Sequence, residues 1–484
     1  MSKRKLIVVG LDCLEPTLAF EKWADVMPNL TRLREQGAWS RLRSTVPPIT
    51  IPAWQAMCTS KDPGTLGMYG FRNRLDHSYS GMRFADGESI KEMRVWDHLS
   101  RAGLRNIILG VPQTYPARPL LGCQISGFPM PGLEGRWAYP AALKDEVLGV
   151  CDYIYDVGEF RTEHKQEILD QLITMAERRF KLAKHLLETK PWDFFMMVEM
   201  GTDRIVHLLW RFTDETHRHY VPNHPLNDCM KDYYALCDKL LGEMTEKYRN
   251  DPDVAIAVVS DHGAQGMAGG FHINEWLIRN GYLKLKTAPT EPVGMGKMIK
   301  ADNVDWNHTK VWAEGGYYSR VMLNVFGREP NGCVRPEEVE GLKAELEAKF
   351  KAIPDGDGNP MQTRVFDPQQ TYKQVNNVAP DMILIFDDLN WRAIGSIRPE
   401  AFGENPPEYY VYENDTGPDD ANHAWHGSWA IAGAGIPQIG ETDAFSLLDI
   451  APSIMRYFGL PVPEDFQGEP REYMDVAQTC PVGA

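Results

Sequence analysis

Four short apolar runs, each ending in residues able to do chemistry, constrain the fold of this chain more than any other feature. Residues 5–10 lead into Asp12, and residues 105–110 end near Pro112. Residues 192–199 lead into Gly201, Thr202 and Asp203, and residues 254–260 lead into Asp261, His262 and Gly263. Runs of this length bounded by turn signals are buried strands. Helical stretches lie between them, at 165–188 and 228–248, and in the first Ile168, Leu172, Met175, Ala176, Leu182 and Leu186 keep a helical period. Strand–helix alternation calls for an α/β fold, a mostly parallel central sheet flanked by helices. Ligands of such sheets bind beyond the C-terminal ends of the strands, where the acidic and histidine residues fall here.

The texture changes between 287 and 381. Gly and Pro become frequent, one helix is expected at 336–351, and candidate strands lie at 321–326 and 382–386. The expected organisation is a main domain of residues 1–286 and 382–484 with a smaller α+β subdomain, 287–381, inserted into it. Core-like texture returns at 429–436, and a helix is expected at 446–458.

With 43% hydrophobic and 24% charged residues, the 484-residue chain can build a substantial core. Its net charge of −16 repels nucleic-acid backbones, so no nucleic-acid polymer is expected as a partner. Lys3, Arg4 and Lys5 precede an apolar run, but Asp12 ends it well short of the roughly 18 residues of a membrane helix. No membrane segment is expected. Eight cysteines (Cys13, Cys58, Cys123, Cys151, Cys229, Cys237, Cys333 and Cys480) are scattered without a CxxC pair, the usage of a reduced, cytoplasmic protein.

Taken together, the strand-end residues are Asp12, Asp203, His207, Asp261, His262 and a late histidine, His423 or His426. Mixed carboxylate and imidazole ligands suit zinc, manganese or iron. Six are too many for one tetrahedral ion but enough for two ions about 3.5–4 Å apart, a pair that clamps both oxygens of an in-line displacement at phosphorus. Asp203 and His207 share a face if a helix begins after their strand. Thr50, between Pro47-Pro48 and Pro52, offers a hydroxyl near the positive end of a helix starting at Pro52. Read singly, each has a plainer role: an Asp after a strand caps a helix, and Thr50 does the same.

The ordered set of motifs resembles the alkaline phosphatase superfamily, specifically the type I phosphodiesterase/nucleotide pyrophosphatase family. The pieces are Val8-Val9-Gly10-Leu11-Asp12, Met27-Pro28-Asn29-Leu30, Thr50-Ile51-Pro52-Ala53-Trp54 and Thr59 through Gly67. They continue with Asp203-x-x-x-His207, Ser260-Asp261-His262-Gly263, Gly327-Arg328-Glu329-Pro330, Asp449-Ile450-Ala451-Pro452-Ser453 and Gly459-Leu460-Pro461. The resemblance implies an alkaline-phosphatase-like main domain and two divalent cations, zinc first, with manganese or iron as alternatives. It assigns Asp12, Thr50, Asp261 and His262 to one metal, and Asp203, His207 and His423 to the other. His426 competes with His423 for that last place. It also implies that Thr50 attacks phosphorus, forming a phospho-threonine intermediate that water then hydrolyses.

The sequence departs from the family where an asparagine contacts the phosphoryl oxygen: Phe71 stands there. Asn73 or Arg72 is the candidate to bind substrate in its stead, and His426 is a further candidate substrate-binding residue. Ala434 replaces the proline of the late glycine–proline turn. The expected activity is that of a phosphodiesterase or nucleotide pyrophosphatase acting on a small phosphorylated substrate. A phosphomonoesterase or phosphotransferase on the same site is the alternative, and an inactive metal-binding or interaction protein the alternative of another class. A sulfatase would carry a Cys/Ser-x-Pro-x-Arg motif where this chain has Thr50-Ile51-Pro52-Ala53-Trp54, and a phosphoglycerate mutase would use serine. Trp137, Tyr139, Tyr317 and Tyr318 are candidates for stacking on a ring of the leaving group.

Overall fold

Strand Lys5–Leu11, buried from Leu6 onward, lies near the middle of the main sheet of the computed structural model, which describes residues 4–290, 301–413 and 417–475. It pairs in parallel with Phe194–Glu199 on one side and Val254–Val259 on the other. Asn106–Leu109 and Gly122–Ile125 extend the parallel set beyond Phe194–Glu199. His426–Gly433 then pairs antiparallel to Val254–Val259 and carries Ala38–Arg43, also antiparallel. Ten strands make up this sheet among the described residues, and most of its pairings are parallel. The fold is the expected α/β architecture. The antiparallel strand His426–Gly433 occupies the segment that the sequence marks only as core-like at 429–436.

Both faces are covered. Helix Lys165–Thr189 buries Ile168, Leu172, Met175, Ala176, Leu182 and Leu186, the residues whose spacing marks it in the sequence. Helices Gly201–Thr213 and Cys229–Thr245 pack against it. The C-terminal helix, Ile450–Tyr457, is shorter than the expected 446–458 because residues 447–449 form a separate 3-10 turn.

A second core lies outside the main sheet. A four-stranded sheet built from Val311–Glu314, Ser319–Leu323, Met382–Ile385 and Arg364–Phe366 packs with helix Val339–Lys351. Its apolar cluster also takes in Phe271, Trp276 and Leu277 before the expected 287–381 segment, and Trp391, Ala393 and Ile397 after it. None of the described helices is long and apolar enough to cross a membrane. The seven described cysteines are free thiols, and Cys480 lies outside the described residues.

Candidate active site

Each chemical residue is delivered by an element whose formation the sequence explains. Asp12 follows directly on the first strand, and its Oδ2 accepts a 2.6 Å hydrogen bond from Trp54 Nε1. Helix Gly201–Thr213 starts right after strand Phe194–Glu199, so Asp203 and His207 lie one turn apart on one face. Asp261 and His262 sit in an irregular turn between Val254–Val259 and Gly263–Gly266. Ser260 shapes that turn: its Oγ accepts from the Leu14 amide at 2.9 Å and donates to the His262 carbonyl at 2.6 Å. Gly263 is required there by close approach, since a Cβ would come within 2.3 Å of the His426 carbonyl oxygen. Thr50 opens the helix Thr50–Thr59, and Ile51 is non-helical, which sets the first residue apart from the regular turns.

These side chains converge as two triads. Asp12, Asp261 and His262 form the first, and Asp203, His207 and His423 the second, with the potential ligand atoms of each within 4.8 Å of one another. All six residues are buried. In the first triad His262 Nε2 lies 3.2 Å from Asp261 Oδ2 and 3.7 Å from Asp12 Oδ1. In the second, Nε2 of His207 and of His423 each lie 3.5 Å from Asp203 Oδ1. The rings of His262 and His423 stack at 3.8 Å, so the triads adjoin. Thr50 Oγ1 is 3.3 Å from His262 Nε2, the contact its hydroxyl makes in place of a helix cap.

All three imidazoles are anchored at Nδ1 and present Nε2 inward. His262 Nδ1 donates to the Gly263 carbonyl at 3.1 Å, and His423 Nδ1 to the Pro48 carbonyl at 2.9 Å. His207 Nδ1 donates to Asp419 Oδ1 at 2.9 Å. Such partners fix tautomer and ring orientation in metal sites. Burial holds His262 and His423 below the usual imidazole range. Burial also opposes charge on His207, but the Asp419 and Asp203 carboxylates outweigh it and raise the ring to about 9. Burial and then the neighbouring carboxylates raise Asp12, and Asp261 is raised chiefly by burial. Asp203 is buried too, yet the imidazole of His207 beside it, with His423 and Arg204, holds it well below the usual carboxylate range.

The residues present fit metal ions. Asp12 Oδ1, Asp203 Oδ1 and Asp261 Oδ2 are buried carboxylate oxygens without a hydrogen-bond partner. An unpaired buried polar atom costs about 1–3 kcal/mol, more when charged, a cost that a bound cation would relieve. Carboxylate and imidazole donors in this mixture suit zinc, manganese or iron.

A cavity of about 830 Å³ opens onto the triads. Thr50, Asp203 and His423 line one part of it, and Phe71, Tyr79, Phe84, Trp306 and Trp312 give the rest aromatic walls. Of the remaining sequence candidates, Arg72 lines the cavity with its guanidinium over Phe84. Asn73 does not reach it: its amide donates to the Gly70 carbonyl at 2.8 Å and accepts from the Tyr69 amide at 2.7 Å, holding the local turn. His426 stands apart from both triads, paired across strands with Arg43, so His423 completes the second triad. Tyr317 and Tyr318 line the cavity. Trp137 is a core residue stacked on Tyr153, and Tyr139 pairs at the sheet edge.

The structure adds residues that sequence reasoning does not single out. Asp419 holds His207 and is itself bound by Arg161 Nε at 2.7 Å. Arg204 bonds Asp203 Oδ2 at 2.5 Å and grips Asp156 through 2.7 and 3.0 Å contacts. Cys13 adjoins Asp203 and His262. The adjacency of Arg204 to Asp203 is a signal the sequence offers. Arg161 and Asp419 lie in loops and offer none.

Comparison with known proteins follows from this geometry. The family described as type I phosphodiesterase/nucleotide pyrophosphatase matches residues 6–429. No curated protein matches the chain. Among solved structures, human ectonucleotide pyrophosphatase/phosphodiesterase 5 superposes with a TM-score of 0.54 at 12% identity, covering 96% of this chain and 97% of that one. The murine counterpart, as an inactive threonine-to-alanine variant in complex with AMP, gives 0.55 at 11% over the same shares. At such identities the likeness concerns the fold.

Proposed function

The chain belongs to the type I phosphodiesterase/nucleotide pyrophosphatase family, within the alkaline phosphatase superfamily, and from that premise we propose a two-metal phosphodiesterase in which Thr50 is the nucleophile. The observation that carries the reading is the pair of buried triads, each with unpaired carboxylate oxygens, adjoining one buried threonine hydroxyl. Asp12, Asp261, His262 and Thr50 would hold one divalent cation, and Asp203, His207 and His423 the other. When bound, the cations supply positive charge that acidifies a hydroxyl and neutralises phosphoryl oxygens. Zinc is the first candidate, with manganese or iron as alternatives.

The protein's own groups then have defined tasks. Thr50, at the positive end of its helix, first loses its acidified proton to solvent in the cavity. Its oxygen then forms the new P–O bond while the bond to the leaving oxygen breaks on the opposite side, leaving a phosphoryl ester on Thr50. Water later cleaves that ester. Asp419, Pro48 and Gly263 keep the imidazoles oriented throughout. The aromatic walls suit a small phosphorylated substrate with a flat ring, consistent with the AMP bound by the murine relative. Phosphomonoester hydrolysis or phosphoryl transfer on the same site is the second reading. One observation favours it: Phe71 stands where the family's phosphoryl-contacting asparagine is expected, and Asn73 is spent on its own turn.

The experiment is hydrolysis of bis-p-nitrophenyl phosphate beside p-nitrophenyl phosphate, with and without chelator, by wild type and Thr50→Ala. Preferred diester turnover, lost on chelation and in Thr50→Ala, is the expected result. Preferred monoester turnover with the same losses moves the assignment to the second reading, and full activity in Thr50→Ala removes the nucleophile.

A further inference from the structure

The turn between strands Val311–Glu314 and Ser319–Leu323 reaches from the second core into the triads, and Tyr317 is at its tip. The backbone that presents it is fixed. Gly316 exchanges hydrogen bonds with Ala393 at 2.9 and 3.1 Å, and Asn422 Nδ2 donates to the Tyr317 carbonyl at 3.2 Å. A Cβ on Gly315 would meet the Gly395 amide nitrogen at 2.3 Å, so the turn needs glycine there to come this close.

The phenol ring lies parallel to the His207 ring, centroids 5.0 Å apart, and tilts against His423 at 4.6 Å. His262, the contact of Thr50, stacks against His423. Both rings that Tyr317 packs on belong to the second triad, which places the phenol beside it. An in-line displacement begun by Thr50 sends the leaving oxygen to the second-triad side.

The Tyr317 hydroxyl accepts a short hydrogen bond from Arg161 Nη2. Its own proton has poor partners: His207 Nε2 at 3.2 Å, His207 Nδ1 at 3.3 Å and Asp419 Oδ2 at 3.3 Å. The bond to Asp419 is clearly longer than the roughly 2.7–2.8 Å of a well-formed O–H···O bond. Asp419 Oδ2 also accepts the closer bond from Arg161 Nε at 2.7 Å, and His207 Nδ1 donates to Asp419 Oδ1, so neither is a strong acceptor for the phenol. A phenol whose oxygen is held by a guanidinium and whose proton makes only long hydrogen bonds is a donor that a better-placed acceptor can capture.

We propose that Tyr317 is a further catalytic residue, donating its O–H hydrogen bond to the leaving-group oxygen as the bond to phosphorus breaks. Arg161, through its bond to the phenol oxygen, strengthens that donor and fixes its direction. No proton changes owner in the displacement step. The developing alkoxide or phenoxide is stabilised and takes its proton from water on leaving the cavity. The inference rests on the Thr50 reading for the direction of departure.

The test uses the full-length, metal-loaded protein and methyl phosphate diesters of p-nitrophenol, p-chlorophenol and phenol, which share the phosphoryl group and differ in the basicity of the departing oxygen. Tyr317→Phe keeps the ring against His207 and removes only the hydroxyl. The expected result is a fall in kcat/KM of about 100-fold on the phenyl ester, the scale of one lost oxyanion donor, and a much smaller fall on the p-nitrophenyl ester. Metal content stays unchanged, and Tyr317→His, which restores an N–H donor, recovers part of the loss on the phenyl ester. An equal fall across the series, no fall at all, or a fall accompanied by loss of metal overturns the proposal, the last by reducing Tyr317 to a support for His207. Thr50→Ala run in parallel separates the two readings: its retained turnover would sink the nucleophile, whereas a dead Thr50→Ala beside a flat Tyr317→Phe series would sink only Tyr317.

Discussion

At the scale of single residues, the site depends on carboxylates and imidazoles whose pointing is decided by neighbours far away in the chain. His207 and Asp419 are 212 positions apart, yet their 2.9 Å bond sets which ring nitrogen faces the second triad. Replacing Asp419 by Asn should weaken metal binding there by about 10- to 100-fold, the usual cost of losing such a partner, as titration calorimetry with zinc would measure. Unchanged affinity would show that the ring is held without it. Thr50→Ala should lower turnover by more than about a thousandfold, the scale seen when a nucleophile is removed, with a melting temperature near wild type. The six potential ligands were legible in the sequence because aspartate and histidine at strand ends have few plainer uses in combination. Asp419 and Arg161 were not, because each comes from a loop that has no periodicity and meets the triads only in three dimensions. Tyr317 was picked out only as a stacking candidate, and its place beside His207 was not legible. Asn73 was misleading for a related reason: its amide satisfies backbone groups of its own turn, a use that composition does not distinguish from substrate binding.

At the scale of elements, the spacing of the site follows from how strands and helices meet. Gly10, the last residue but one of the first strand, lies beside Trp54, and a Cβ there would come within 2.5 Å of the indole Cη2. The glycine lets the helix Thr50–Thr59 pack close enough for Trp54 Nε1 to reach Asp12. Gly10→Ala should therefore destabilise the protein by about 1–3 kcal/mol through overpacking. It should also loosen the first triad, seen as a lower melting temperature together with reduced metal content. A variant that melted like wild type and kept its metal would refute the packing argument. The four strands were readable because each is buried on both faces, which makes the apolar run continuous. Helix Lys165–Thr189 was readable because one face alone is apolar. The strand His426–Gly433 was harder to read, being antiparallel and placed between strands far earlier in sequence, so no strand–helix alternation announces it.

At the scale of the whole molecule, two cores share the cavity walls. Elements that follow the main-sheet strands supply most of the triads, the strand Ala421–Ala424 supplies His423, and the second core supplies Trp306 and Trp312. The texture change after residue 287 was visible in the sequence, but the second core's reach back to Phe271 and on to Ile397 was not, because those residues are apolar like any core segment. On the proposed reading, six buried ligands, among them three carboxylates with an unpaired oxygen, make bound cations part of the stability of the folded state. An ion present at a thousand times its dissociation constant stabilises by about 4 kcal/mol, so chelation should lower the melting temperature and zinc should restore it. An identical melting curve with and without chelator would exclude tight binding. The most direct test of the central claim is to quench the metal-loaded enzyme with acid during turnover of bis-p-nitrophenyl phosphate and map its peptides by mass spectrometry. The account predicts a phosphoryl ester on Thr50 that appears with substrate, vanishes as substrate is exhausted, and is absent from chelated enzyme. Steady turnover with Thr50 unmodified at every quench time, together with undiminished activity in Thr50→Ala, would contradict it.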